Sequence, residues 1–273
     1  DLAYCEFTQT NRWNFEIVCA ETIPYNPAWQ NRLQSSPQLQ AGELILTDYN
    51  FGIYIGEQIL NFISKNQISP DFIASHGHTV FHQPQHQKTF QLGNGAYIRA
   101  TTNIPVVSDF RTLDVAMGGE GAPLVPIGDQ LLFPNYEACL NLGGFSNISF
   151  QQDDQRMAYD ICPVNMALNR LPQKQNMEFD KDGKMTKGGT LIPEMLESLD
   201  KLRYYSKSAP KSLGKEWFIT DFLHIMEQFE ENYKYNDIQQ TLYNHIIHQL
   251  AFALSPFKNV LITGGGAHNT LLI

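Results

Sequence analysis

Residues 138–150 read ACLNLGGFSNISF: a short apolar run, two glycines, then a second run ending Ile148-Ser149-Phe150. Runs of this length with β-forming side chains read as strands, and paired glycines between them mark the reversal of a hairpin. This strand pair opens the second half of the chain. The first half opens in the same way, because residues 1–7 and 13–19 alternate around the polar stretch 8–11. Outward from these pairs, residues 40–65 carry Ile45, Tyr49, Ile55, Ile59, Phe62 and Ile63 at helical spacing and stop before Ser69-Pro70. Strand-like runs follow at 72–74, 89–92 and 104–107, with a Gly93-Asn94-Gly95 turn between the last two. Beyond the glycine hairpin come a strand at 156–159, a helix at 164–171, and a polar, lysine-rich stretch of loops and short helices at 178–216. An amphipathic helix through Leu242, Ile246, Ile247, Leu250 and Leu254 precedes a strand at 260–263, which runs into Gly264, Gly265 and Gly266. Strands alternating with helices place the chain in the α/β class. The two halves share an opening architecture rather than a repeated sequence.

A chain of 273 residues suits one large or two moderate domains, and 42% apolar against 17% charged residues describe a globular protein with ample core. No apolar run approaches the roughly 18–20 residues of a membrane-spanning helix. A net charge of −9 argues against nucleic acid as the partner, since phosphate backbones want a basic surface. It leaves room for a small anion held by local arginines and backbone amides. Cys5, Cys19, Cys139 and Cys162 form no CxxC pair and no metal-ligand spacing. Reduced thiols in a cytoplasmic setting are expected. The ends are abrupt, a strand entered midway at DLAYCEF and a helix-like AHNTLLI that stops, as expected of a longer protein cut at both ends.

Candidate chemistry gathers at strand ends. DFRTLDVAMGGEGAPLVP (109–126) sets Asp109, Arg111 and Asp114 after the strand-like IPVVS and before a glycine segment closed by Ala122-Pro123. Glycine lets backbone approach a ligand and proline fixes φ, so the stretch suits a small-molecule site; a solvent-facing loop accounts for it equally well. His76 and Thr79 flank Gly77 and suit contacts to sugar hydroxyls, while a lone histidine there also serves as a hydrogen-bonded loop residue. The turn at Gly143 and Gly144, followed by Asn147, can aim N–H groups at phosphate oxygens. Residues 264–266 can let backbone lie flat against a nucleotide. Each alone also reads as an ordinary turn. Asp160, placed after the strand 156–159, suits a general base or water-positioning group, and also an N-cap for the helix 164–171. His245 and His248 share a helix face with no carboxylate or cysteine nearby in sequence, so a hydrogen-bonded or solvated pair is expected over a metal site. Lys211 suits phosphate neutralisation or plain solvation. The signatures GxxxxGK[ST], GxGxxG after a strand, HExxH and GxSxG do not occur.

In this order the pieces resemble the anhydro-N-acetylmuramic acid kinases of bacterial peptidoglycan recycling. The stretches that carry the resemblance are ASHGHTVFHQP (74–84), QLGNGA (91–96), SDFRTLDVAMGGEGAPLVP (108–126), NLGGFSNIS (141–149), YDICPVNMALN (159–169), APKSLGKEWF (209–218) and LITGGGAHN (261–269). They follow the family's order and span nearly the whole chain. The resemblance implies the sugar kinase, Hsp70 and actin superfamily: two ribonuclease H-like domains, here 1–134 on the sugar side and 135–273 on the nucleotide side, with ATP in the interdomain cleft. It implies an ATP-dependent kinase that hydrolytically opens 1,6-anhydro-N-acetylmuramic acid and phosphorylates O6. Asp160 falls on the water-activating aspartate of the family's FDxGPxN motif. Gly143, Gly144 and Asn147 match the second phosphate loop, and Gly264, Gly265 and Gly266 the adenosine-side glycines. Thr79, Arg111 and His76 are the expected sugar contacts. ATP as co-substrate with magnesium, and a homodimer, follow from the same resemblance.

Three departures stand against it. The family's first phosphate loop, GTSxDG, is expected immediately before Asp1, and a further segment beyond the GGG strand. The family has glycines on both sides of the proline in FDxGPxN, where this chain has Cys162 and Val164. Side chains there put the wall beside Asp160, and so the sugar preference, in question. The rival readings are a sugar-binding regulator that kept the fold, a chaperone-like ATPase, and a hydrolase that opens the sugar without phosphorylating it.

Overall fold

Alternation at the head of the chain becomes a hairpin: β1 (Leu2–Gln9) and β2 (Trp13–Glu21) pair antiparallel, with Phe7 opposite Phe15. The structure, a computed structural model, describes residues 1–273 and divides into two units, Asp1–Leu124 and Val125–Ile273. In the first unit the hairpin is followed by α1 (Pro27–Ser35), whose N-terminus is capped by the Asn26 side chain, and by α2 (Ala41–Asn66). Then come β3 (Ile73–Ser75), β4 (His78–Gln83), β5 (Lys88–Leu92), α3 (Gly95–Thr102), β6 (Val106–Ser108) and α4 (Thr112–Ala116). β3 runs parallel to β6 and β4 antiparallel to β5, so this unit holds three separate two-stranded ladders rather than one sheet.

The long helix buries a face different in detail from the expected stripe. Phe51, Ile59 and Phe62 are inside, but Ile45 is half exposed, and Gly52 and Gly56 sit at the packed surface. The glycines are there because α3 comes close: a Cβ on Gly52 stands 2.7 Å from the Asn94 carbonyl oxygen, and one on Gly56 stands 2.7 Å from Thr101 Cβ. The buried Asp48 of α2 fixes the Gly93-Asn94 turn by accepting from Gly93 N–H at 2.8 Å and from Asn94 Nδ2 at 3.0 Å. Asn94 in turn caps α3 through the Ala96 N–H.

The second unit begins with α5 (Pro126–Leu132) and a hairpin of β7 (Ala138–Leu142) and β8 (Phe145–Gln152), followed by β9 (Gln155–Pro163). Next are the short α6 (Asn165–Leu168) and α7 (Arg170–Lys174), then α8 (Pro193–Asp200), α9 (Lys215–Trp217), α10 (His224–Glu230), α11 (Tyr235–Leu254) and β10 (Val260–Thr263). The four strands form one sheet in the order β10-β7-β8-β9, with β10 parallel to β7 and the others antiparallel. Leu140, Leu142, Ile148 and Ile161 of the sheet pack with Leu242 and Ile246 of α11 into a single core. Helix α5 lies with this unit, where Asp129 accepts a bond from the Ser149 hydroxyl of β8 at 2.5 Å.

Two expectations need correcting. The strand expected at 156–159 runs on to Pro163, so Asp160 is inside a strand and not after it. The apolar Ile161 and Cys162 extend the pairing, and the Ser146 hydroxyl holds Cys162 by both its N–H and its carbonyl. The single helix expected at 164–171 is two short ones meeting at Asn169. His245 is fully buried, with Nδ1 2.6 Å from Asp200 Oδ1 and Nε2 2.9 Å from the Tyr205 hydroxyl, so the structure supplies the carboxylate that its sequence neighbours lack. All four cysteines are free thiols. No helix is long and apolar enough to cross a membrane.

Glycines in α2 yield a stability contrast. Alanine gains on glycine in a helix, but at position 52 the new methyl meets a backbone oxygen that cannot move away. Gly52→Ala is expected to destabilise the first unit by about 1–3 kcal/mol through overpacking. Gly42→Ala, with nothing within 4 Å of the new Cβ, is expected to be neutral or stabilising by about 0.5 kcal/mol. Urea unfolding of the two variants checks both signs.

Candidate active site

The second unit carries a row of polar side chains straight across an apolar sheet. Thr263 of β10 is paired with Asn141 of β7, Asn141 with Asn147 of β8, and Asn147 with Asp160 of β9. Directly opposed residues place their side chains on one face. The flanking Leu140, Leu142, Ile148 and Ile161 point the other way into the core. The row ends where the two glycine turns leave the sheet. Gly264 has φ +82, and a Cβ there stands 2.5 Å from Asn141 Oδ1 and 2.8 Å from the Leu142 carbonyl oxygen. A Cβ on Gly266 stands 2.7 Å from Leu142 Cβ. The turn after β10 is therefore pressed against the end of β7, beside Gly143 and Gly144, as only glycine permits.

Neither Gly143 nor Gly144 takes left-handed backbone. Their carbonyls accept from the Val164, Asn165 and Met166 N–H groups. In a trans peptide the C=O and N–H point in opposite directions, so the Gly144 N–H faces away from α6. Gly144 itself is exposed. An exposed N–H at a glycine, beside a second glycine turn, is a fitting seat for a phosphate oxygen.

Asp160 is held on the free edge of the sheet. Its N–H donates to the Lys211 carbonyl at 3.0 Å, its own carbonyl accepts from the Tyr204 hydroxyl at 2.5 Å, and its Oδ2 accepts from the Leu213 N–H at 2.8 Å. The carboxylate caps no helix, which removes the N-cap alternative. It has no cationic partner and Oδ1 has no hydrogen bond. Burial raises its pKa from 3.8 to about 6, with the Leu213 N–H pulling the other way. Such a group is ionised at neutral pH yet basic enough to take a proton from water. Lys211 makes no ion pair: half-buried, its Nζ lies 4.8 Å over the Tyr204 ring and 5.7 Å over the Tyr159 ring.

In the first unit, Arg111 Nε donates to His76 Nε2 at 3.0 Å and Arg111 Nη1 to the Gly121 carbonyl at 2.6 Å. A guanidinium only donates, so Nε2 is the acceptor, which leaves Nδ1 to face the Gly77 carbonyl 3.0 Å away. His76 lines a cavity of about 170 Å³ with Asp48, Ser75, Asn94, Ser108 and Asp109. Asp109 adopts φ +60, an uncommon conformation for a side-chain-bearing residue. Asp114 serves the loop itself, accepting from Gly121 N–H at 2.6 Å and so folding the glycine segment back on α4. Thr79 stands exposed on β4 opposite Gln91 and does not line this cavity.

The structure thus joins Asp160 with Asn147, the two glycine turns with each other, and His76 with Arg111. Cys162 and Val164 are fully buried in the core of the second unit. Asn141, Tyr204 and Leu213 escaped the sequence reading. The one signal available was a polar residue in the otherwise apolar ACLNL.

The family profile described as anhydro-N-acetylmuramic acid kinase matches residues 5–273. The anhydro-N-acetylmuramic acid kinase of Aliivibrio fischeri is 37% identical over 243 residues, 83% of this chain and 65% of that protein. That of Photobacterium profundum is 36% identical, covering 88% of this chain and 69% of the relative. That of Hydrogenovibrio crunogenus is 33% identical, covering 94% and 74%. The chain therefore spans about two thirds of the length of the curated relatives it matches. Among solved structures, component A of the Acidaminococcus fermentans (R)-2-hydroxyglutaryl-CoA dehydratase is 11% identical over 65% of this chain and 69% of that one, at a TM-score of 0.35, too low for inference.

A half-buried carboxylate without a cationic partner costs stability when ionised. Asp160 binds its proton more tightly folded than unfolded, so its contribution is most favourable below pH 3.8 and is lost as the pH rises through about 6. Asp160→Asn is expected to stabilise the fold by about 2 kcal/mol at pH 8 and by little at pH 3.5. Denaturant titrations at the two pH values check it; equal effects at both contradict the burial.

Proposed function

The chain belongs to the anhydro-N-acetylmuramic acid kinase family, and from that premise we propose that the protein is an ATP-dependent kinase. It opens 1,6-anhydro-N-acetylmuramic acid hydrolytically and phosphorylates O6, giving N-acetylmuramic acid 6-phosphate in peptidoglycan recycling. The observation that carries the reading is Asp160: a half-buried carboxylate without a counterion, directly opposite Asn147 on a polar row that ends beside two glycine turns.

In this reading Asp160 Oδ1 takes a proton from a water whose oxygen bonds to the anomeric carbon. The bond from that carbon to O6 breaks, and the freed O6 accepts the γ-phosphoryl group that ATP supplies. Positive charge developing at the anomeric carbon favours a nearby carboxylate, while phosphoryl transfer needs mainly positioning and charge neutralisation. Gly143, Gly144 and Asn147 hold phosphate oxygens, and Gly264, Gly265 and Gly266 lie against the nucleoside. His76, Arg111 and Thr79 orient the sugar, with His76 and Arg111 already locked together. No group of three or more His, Cys, Asp or Glu side chains is placed to hold a metal ion. Magnesium, arriving with ATP, would supply charge neutralisation at the phosphates. The two units are, in the same proposal, ribonuclease H-like domains of the sugar kinase, Hsp70 and actin superfamily, in a cytoplasmic homodimer.

Protein expressed from its complete reading frame is expected to yield equimolar ADP and 6-phosphosugar from ATP and the anhydro sugar. Asp160→Asn is expected to lower kcat by about 10²–10⁴-fold, the usual worth of a general base. Because the base works ionised, wild-type kcat is expected to fall by half on the acid side near pH 6. A folded, ATP-binding protein without sugar-dependent turnover overturns the kinase in favour of a regulator. Sugar opening without ATP identifies a hydrolase.

A further inference from the structure

Asp160 belongs to a strand, but the loop 201–214 touches it on three sides. Tyr204 Oη donates to the Asp160 carbonyl at 2.5 Å, the Lys211 carbonyl takes the Asp160 N–H at 3.0 Å, and the Leu213 N–H reaches Oδ2 at 2.8 Å. The loop pairs with the outer edge of β9, which has no further strand. Of the three contacts, the two from Lys211 and Leu213 are made by backbone and depend on where the loop lies. Tyr204 alone contributes a side chain.

Tyr204 is itself fixed from several directions. It is buried, its ring lies 5.3 Å from the Trp217 ring and 5.8 Å from that of Tyr205, and the Lys211 ammonium sits 4.8 Å over it. The same ammonium donates to the Tyr204 carbonyl at 3.4 Å. Next along the chain, the Tyr205 hydroxyl is 2.9 Å from His245 Nε2, and His245 Nδ1 is 2.6 Å from Asp200 Oδ1, so the loop is anchored to α11 and α8. Burial, then the negative charge of Asp160, raise the Tyr204 phenol well above its ordinary 10, so its hydroxyl keeps its proton and remains a donor. A hydroxyl so confined defines a position for the one atom it touches.

We propose that Tyr204 is a positioning residue for Asp160: its hydroxyl pins the Asp160 carbonyl, and thereby keeps the carboxylate on the Leu213 N–H with Oδ1 turned to the reacting water. This rests on the reading of Asp160 as the general base. Removing the hydroxyl frees the strand edge by a few tenths of an ångström, and small misplacements of a catalytic group are costly. It also loosens the Leu213 bond, which favours the ionised carboxylate, so Asp160 becomes harder to ionise.

Tyr204→Phe keeps the ring, its stacking and the bed for Lys211. In the complete protein it is expected to lower kcat about tenfold with KM for sugar and ATP changed less than about twofold. The acid limb of kcat is expected to move to higher pH by about half a unit or more, and a ¹³C NMR titration of the Asp160 carboxyl to move with it. A merely structural tyrosine lowers the melting temperature and leaves both pH midpoints in place; that result overturns the proposal. Lys211→Met supplies a second variant in case Tyr204→Phe does not fold. It loosens Tyr204 without removing the hydroxyl, and a smaller shift in the same direction is expected; no shift overturns the proposal. Should Asp160→Asn retain full turnover, the general-base reading fails first and the Tyr204 proposal falls with it. Loss of turnover in Asp160→Asn beside an unchanged Tyr204→Phe defeats the positioning role alone.

Discussion

Strand register in the second unit is the constraint on which the candidate site depends. Thr263, Asn141, Asn147 and Asp160 share a face only because β10, β7, β8 and β9 pair as they do. A slip of one residue in β9 sends Asp160 into the core and brings Tyr159 or Ile161 to the site, since side chains alternate with a period of two. Three features prevent the slip. Leu140, Leu142, Ile148 and Ile161 lose their burial if the sheet turns over. The Ser146 hydroxyl grips Cys162 by both backbone groups. Gly264 and Gly266 are packed so tightly on Leu142 that β10 cannot move along β7 without a clash. The glycines that suit a nucleotide are thus also the ones that hold the register.

The chemistry of Asp160 depends equally on what is kept from it. A cation beside the carboxylate would drop its proton affinity and make it a poor base. The nearest lysine by chain contact, Lys211, gives Asp160 its carbonyl but turns its ammonium onto the rings of Tyr204 and Tyr159. Cation–π contact lets the charge be buried without a carboxylate partner. The Lys211 pKa is lowered by that burial and by Lys207, with no contribution from Asp160. The carboxylate on β9 and the ammonium on the loop beside it therefore do not neutralise each other.

What the sequence disclosed was local. Hairpins announce themselves through turn residues between β-forming runs, and α2 through its spacing, because neighbours along the chain decide both. Strand-end glycines were legible for the same reason. The mixed α/β class follows from these. The partners of the candidate site were not legible, because each is made by a contact distant in sequence: Leu213 to Asp160 across 53 residues, Arg111 to His76 across 35, Asp48 to Gly93 across 45. β9 runs longer than its residues suggest because Asp160 is a poor strand former, and its place there is secured by the outside loop rather than by propensity. The inward glycines of α2 answer to Asn94 and Thr101, which the helix's own periodicity does not contain.

The same distance argument bears on Cys162 and Val164, which flank Pro163 beside Asp160. Position 162 is two residues after Asp160, where strict alternation would put it on the face of the base, but the pairing of β8 with β9 shifts between Asp160 and Pro163 and breaks that alternation. Cys162 is fully buried, with its Sγ 3.4 Å from the Ser146 hydroxyl. Burial pushes its pKa up to about 12, which leaves an unreactive thiol that fills volume. A change of residue at 162 therefore acts first on the Ser146 contact that holds this end of β9, and so on how firmly Asp160 is held.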